Sequence, residues 1–346
     1  MPKNKKIKSG SRTSNASASA FGWDFQTNAA ILLMLENIQH AKSVKVEAQT
    51  EDIEIKLDNN NIIYSQAKSH IDITSTANLM KKLKESIRTL STAYNNGDAE
   101  SLIYITNHPN PFNDKYSTQY IIGKTKLDYE ELPLQCKNKI INIINKNNYT
   151  LDTAKLKVYV VPFWGNDKDN RDKIIKETVS EFLAELQIYT PYTPKKMLEI
   201  WQNDFFHNAT IPDDKIKIKK NDIIWSLIVE VCGDLDRNDR IIEDCDDAAI
   251  DEIERIYKTI IDNKTEDFLF INKVLNDYLE YNKQLPLSQR TSKFINEEYV
   301  RYSNDFDIGN NIDEYYKKCL IKLIINKIIA KRDIIARIKK GANICD

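Results

Sequence analysis

Two short β-rich runs on either side of a turn constrain this chain most. Residues 47–57 read E-A-Q-T-E-D-I-E-I-K-L, D-N-N-N follows at 58–61, and residues 62–68 read I-I-Y-S-Q-A-K. Aliphatic and β-branched runs flanking an Asp/Asn cluster predict two antiparallel strands joined by a short loop. Strand side chains alternate between faces, so Gln66 and Lys68, two positions apart, project from the same one. Asp52 opens the second half of the first run, with Glu47 on the strand segment before it. The same alternation sends Glu51 the opposite way from Asp52, so a bulge would be needed for both to reach one site.

The surrounding pattern predicts an α/β region and then a helical one. Phe25, Ala29, Leu32, Leu33 and Leu35 or Ile38 recur at helical spacing, predicting an amphipathic helix over 21–38 that starts near Gly22 and Asp24. Leu79, Leu83, Ile87 and Leu90 predict a second helix, capped by Thr76. Strands are expected at 101–107 and 155–163, with a short helical region at 124–150 between them. The result is a mixed sheet flanked by helices. Two prolines within 189–194 mark a boundary. Helical periodicity then recurs around 195–206, 222–232, 247–262, 266–281 and 312–340, ending at Gly341 as a C′ residue.

Composition narrows the setting. A net charge of −1 removes the strongly basic balance of most nucleic-acid binders, so any such contact must come from local patches. Residues 1–17 are basic and polar, readable as a solvated tail or as an arm that meets phosphate non-specifically. The five cysteines are scattered with no C-x-x-C pair, which fits reduced thiols and a cytoplasmic protein rather than a disulfide scaffold. No signal peptide is visible, and lysines and arginines break the apolar run 320–338, so no membrane span is expected.

The residues brought together by the strand pair suit phosphodiester hydrolysis. A divalent ion neutralises the scissile phosphate and makes a water nucleophilic, and a hard ion such as Mg²⁺ (or Mn²⁺) prefers oxygen ligands. Asp52 would anchor it, Gln66 and the carbonyl of Ala67 would add oxygens, and Lys68 would sit at the water. Glu47 could contribute a further carboxylate, through a water or to a second ion.

The pattern E-x-x-x-E-D-I followed by Q-A-K resembles the D…(D/E/Q)-x-K core of the restriction-endonuclease-like superfamily. The F-G-W-D-F-Q helix before it and the I-Y-I-T-N strand after it sharpen the resemblance, which covers about residues 18–165. It is closest in kind to the nuclease domains of bacterial anti-phage effectors, those of CBASS systems and the nuclease subunit of Lamassu and related three-component systems. The resemblance implies a metal-dependent DNA endonuclease domain over 18–190, with Asp52 as metal-binding acid, Gln66 as second ligand and Lys68 as catalytic lysine. It further implies that 195–346 is a helical partner-binding or oligomerisation domain. That domain would hold the nuclease inactive against an SMC-like ATPase and a third small subunit until release or homo-oligomerisation lets it degrade double-stranded DNA. A non-catalytic helical scaffold of the same complex and an RNase of the same fold are the alternatives.

Other features carry less. Residues 234–245 imitate a calcium-binding loop, but Asp239 stands where glycine is needed and Cys245 where a bidentate glutamate belongs. His70 is read as a polar strand-end residue beside Lys68. Ser69 and Thr106 are read as loop hydroxyls, and Trp201, Phe205 and Phe206 as core or interface. The absence of a glycine-rich phosphate loop argues against an ATPase.

Overall fold

The structure, a computed structural model, describes residues 15–48, 51–165, 167–189, 193–233, 239–243, 245–264, 268–306 and 313–344. Most of the basic tail, Pro191, and residues 234–238 and 244 of the calcium-loop imitation lie outside the described residues.

Helix α1 (Asn15–Glu36) leads into an antiparallel meander of β1 (Ala41–Val46), β2 (Ile53–Leu57) and β3 (Ile62–Lys68). Helix α2 (Leu79–Tyr94) then crosses over, so that β4 (Ala99–Thr106) lies parallel to β3. β5 (Thr125–Asp128), α3 (Leu134–Asn147) and β6 (Leu156–Val160) follow; β6 is parallel to β4 and antiparallel to β5. With the two-residue β7 (Ile218–Lys219), the strands form one mixed seven-stranded sheet in the order β5-β6-β4-β3-β2-β1-β7.

Leu79, Leu83, Ile87 and Leu90 are fully buried, and α2 and α3 cover one face of the sheet through Tyr64, Leu102, Tyr104, Val158, Cys136 and Ile140. At roughly 1.5–3 kcal/mol for each buried aliphatic or aromatic side chain, this face anchors the strands that carry the polar residues at their ends. The N-cap of α2 is Asn78 rather than Thr76, in a left-handed conformation (φ 63°) with no side-chain cap.

α1 departs from the amphipathic expectation, because every residue from Phe25 to Leu35 is buried. It packs on β1, β2 and β3. Its polar residues face a second partner, with Gln202 donating to Asn28 Oδ1 at 2.9 Å and to Asp172 Oδ2 at 3.1 Å. Gly22 and Asp24 lie inside the helix instead of at its start, and the Asp24 carboxylate pairs with Arg171 at 3.2 Å. β5 and β7 were not legible from sequence, being four and two residues long.

The chain clusters into two units. The first comprises residues 1–37, 41–178 and 201–218, and the second residues 38–40, 179–200 and 219–346. Helices α4 (Lys168–Glu185) and α5 (Thr193–Thr210) contribute to both, and the second unit adds α6 (Lys220–Cys232), α7 (Asp247–Lys264), α8 (Phe268–Glu280), α9 (Leu287–Glu298), α10 (Glu314–Ala330) and α11 (Arg332–Gly341). The single helix expected at 312–340 is two, broken at Lys331. Asn343, at φ 52°, takes the left-handed position after α11, and Ile344 N–H closes the turn on Lys339 O at 2.9 Å. A Cβ at Gly341 would stand 2.1 Å from Leu186 Cδ2, so a larger residue there would displace the Leu186 side chain. Trp201 and Phe205 are core residues, while Phe206 is about half exposed. No helix among the described residues is long and apolar enough to cross a membrane.

Candidate active site

The period-two reading of β3 places Tyr64, Gln66 and Lys68 on one face, the face covered by α2. Tyr64 belongs to the apolar core there, and Gln66 is buried with its Oε1 accepting from the Thr89 hydroxyl of α2. Lys68 ends the strand and reaches back to Asp52, its Nζ 3.3 Å from Oδ2, with both side chains nearly four-fifths buried. Ala67 N–H donates to the same Oδ2 at 2.9 Å. Of the three residues expected together from sequence, Asp52 and Lys68 thus meet at the C-terminal end of β3, while Gln66 lies on the same strand face with its amide oxygen held by Thr89. Ala67 holds Asp52 through its amide.

The acids come from the connection between β1 and β2. β2 begins only at Ile53, so strand alternation does not govern residues 51 and 52. Glu51 is 3% exposed, and both its carboxylate oxygens are buried without a hydrogen-bond partner among the described residues. Burial first, and then the Asp52 carboxylate, push its pKa up to about 8, against the pull of Lys68. Glu51 and Asp52 therefore both lie within the field of Lys68, contrary to the opposed directions expected for them.

Glu47 is not part of a strand. It follows β1 with a left-handed φ of 54°, its N–H bonded to Asp52 O at 2.8 Å. Its carboxyl pKa is raised by burial and by Asp52, and lowered by Gln26 and Lys68. Gln26 of α1 also donates to Asp52 O at 2.9 Å, fixing the loop from the other side of the sheet.

The chain just past Lys68 is held by the end of β4. The Thr106 hydroxyl donates to Lys68 O at 2.6 Å, so it is occupied by the backbone instead of facing a phosphate. Asn107 accepts from His70 N–H at 2.7 Å and donates to His70 O and Phe163 O, both at 2.8 Å. The His70 ring is buried edge-on to His108, and burial, with Lys82 next, lowers its pKa to about 4. A cleft of about 390 Å³ opens beside these residues, lined by Lys68, Ser69, His70, Asn78 and Lys82. Lys82 Nζ donates to Ser69 O, and its pKa is lowered by burial and by Lys68.

Gln26, Thr89 and Lys82 complete the cluster and were missed in the sequence. Gln26 was visible in F-G-W-D-F-Q, but only the fold brings it to Asp52. Among the described residues no group of three or more His, Cys, Asp or Glu stands ready to hold a metal ion. The donor chemistry still suits a hard cation: Glu51 presents two buried, unpartnered carboxylate oxygens beside the Asp52 carboxylate, and the Gln66 amide oxygen lies on the same strand end. No protein-family model, curated protein or solved structure matches the chain.

Proposed function

We propose that this chain is a metal-dependent endonuclease of the restriction-endonuclease-like kind, acting on double-stranded DNA. The observation that carries the reading is the pairing of Asp52 with Lys68 at the end of β3, beside a buried, unpartnered Glu51. A buried carboxyl group without a hydrogen-bond partner is costly in a purely structural role, and such perturbed groups concentrate where chemistry is done.

Asp52, Glu51 and Gln66 would hold Mg²⁺ or Mn²⁺, with Glu47 and the Ala67 carbonyl as further oxygens. When bound, such an ion neutralises the phosphate and acidifies a water. Lys68 orients that water and offsets the charge that develops on the phosphate. Ala67 N–H and Gln26 fix the Asp52 side chain and backbone, and Thr89 fixes the Gln66 amide. The Thr106 hydroxyl fixes the Lys68 main chain and Asn107 that of His70, so the strand end that carries Lys68 is held in place. The cleft bearing Lys82 gives the flanking phosphate a cationic wall.

The net charge of −1 supports a nuclease that meets DNA with help from partners, here an SMC-like ATPase and a third small subunit of an anti-phage system. Release or homo-oligomerisation would pair two sites and cut both strands. The deciding experiment offers labelled duplex DNA and RNA side by side, with Mg²⁺ or Mn²⁺, to the wild type and to Lys68→Ala. Cleavage of DNA by the wild type alone supports the reading. Equal loss-free behaviour of both proteins leaves a non-catalytic scaffold, and preference for RNA an RNase of this fold.

A further inference from the structure

Two thiols far apart in sequence, Cys245 and Cys319, come together in the second unit beside one hydroxyl. Cys319 lies on α10 one helical turn after Tyr315, so the two side chains share a face of that helix. From the irregular stretch just ahead of α7, the Cys245 sulfur reaches to 3.7 Å from the Tyr315 hydroxyl oxygen. The contacts close into a triangle, because Cys319 hydrogen-bonds both to Tyr315 and to Cys245. Both thiols are free.

The two sulfurs differ in access. Cys319 is 5% exposed; burial first, and then Cys245, raise its pKa, against the pull of the Tyr315 hydroxyl. Cys245 is only half-buried, so a reagent from solution meets it first. Cys136 and Cys232 are unlike this pair. Each is buried, and burial pushes their pKa values up to about 11 and about 12, the condition of an inert thiol. Two sulfurs already in hydrogen-bond contact have only to close to about 2.05 Å to form a disulfide. Cys245, outside any helix or strand, is the one placed to move.

We propose that Cys245 and Cys319 form a reversible, redox-controlled disulfide that ties the start of α7 to α10. The oxidant is a small-molecule disulfide of the glutathione kind. The Cys245 thiolate attacks one of its sulfurs, forming a mixed disulfide and releasing one thiol. The Cys319 thiolate then attacks Cys245 Sγ and releases the second. Two protein thiols are oxidised to one disulfide, two electrons reduce the incoming disulfide, and the two protons end on the released thiols. Nothing here depends on the nuclease reading, because every residue used lies in the second unit.

The test equilibrates the full chain carrying Cys345→Ser, which removes the thiol outside the described residues, in glutathione mixtures of rising oxidised fraction. Samples are quenched in acid, alkylated and mapped by peptide mass. Expected is a single two-electron transition in which the Cys245 and Cys319 peptides become joined within one chain. The oxidised form should unfold about 5 °C higher, since a bridge across a long loop constrains the unfolded chain. Cys319→Ser should stop the reaction at the glutathione mixed disulfide on Cys245. Should that buried position not tolerate serine, Cys245→Ser, at a half-buried one, should equally abolish the joined peptide. Cys245 resting as a mixed disulfide in the presence of Cys319, a bridge to Cys136 or Cys232, bridges only between chains, or thiols left wholly reduced would each overturn the assignment.

Discussion

Lys45 and Glu51 are both buried ionisable side chains of the sheet unit, six positions apart, and they are treated in opposite ways. Lys45 is fully buried, yet its Nζ donates to Asn208 O at 2.9 Å and to Ile211 O at 2.8 Å. Those carbonyls lie at and just past the C-terminal end of α5, where helix carbonyls lack internal partners and the helix dipole favours a cation. Asn208 also accepts from Val46 N–H at 3.1 Å, so β1 and the end of α5 satisfy one another. Glu51 has no such arrangement: its oxygens are buried and unpartnered. Lys45 is a buried charge closed on the chain's own carbonyls and supports architecture; Glu51 is a buried acid held protonated by its surroundings and left without a hydrogen-bond partner.

The contrast breaks most directly at Lys68. Lys68→Ala should reduce DNA cleavage by about 100-fold or more, the scale of losing one charge-stabilising donor, with circular dichroism and unfolding temperature near wild type. Lys45→Met should do the reverse. Two buried carbonyls lose their donor, so stability should fall by about 2–4 kcal/mol in a urea titration, while cleavage per folded molecule is retained.

Glu51 sharpens the comparison through pH. Its folded pKa of about 8 exceeds the ordinary 4.5, so between those values the folded state holds a proton that the unfolded chain has released. In chelator, stability should therefore be fully present below about pH 4.5 as far as this group goes, and should decline as pH rises toward 8. Glu51→Gln should flatten that slope in thermal melts across pH 5–8; an unchanged slope would place the carboxyl in water. The smallest effect is expected at Thr89. Thr89→Val removes the donor to Gln66 and should cost about 1 kcal/mol with a several-fold loss of cleavage, measured by melting and by initial rates.

How much of this was readable beforehand follows from distance along the chain. Gln66 and Lys68 sit in one strand, where period two is enough, and Asp52 is only fourteen positions upstream. Glu51 was misdirected because alternation was applied to the two residues before β2 begins. Gln26 and Thr89 reach the site over separations of 26 and 23 residues, which no local pattern encodes. The α2 stripe was legible because Leu79, Leu83, Ile87 and Leu90 share one face. α1 was legible as a helix but not as one enclosed on all sides, since residues 201–218 return to the sheet unit far downstream. The break at Lys331 carries neither glycine nor proline, so nothing in the letters announced it.

The turn between β1 and β2 carries Glu47, Glu51 and Asp52 together, cross-tied by Glu47 N–H to Asp52 O and Ala48 N–H to Glu51 O. Surface connections ordinarily absorb an extra residue at little expense. Here the two backbone bonds fix where Asp52 stands against Lys68 and where Glu51 is buried, so an inserted glycine should leave a folded protein in which the Asp52–Lys68 pair is lost. Length, more than side-chain identity, is then what evolution would have least freedom to vary at this corner.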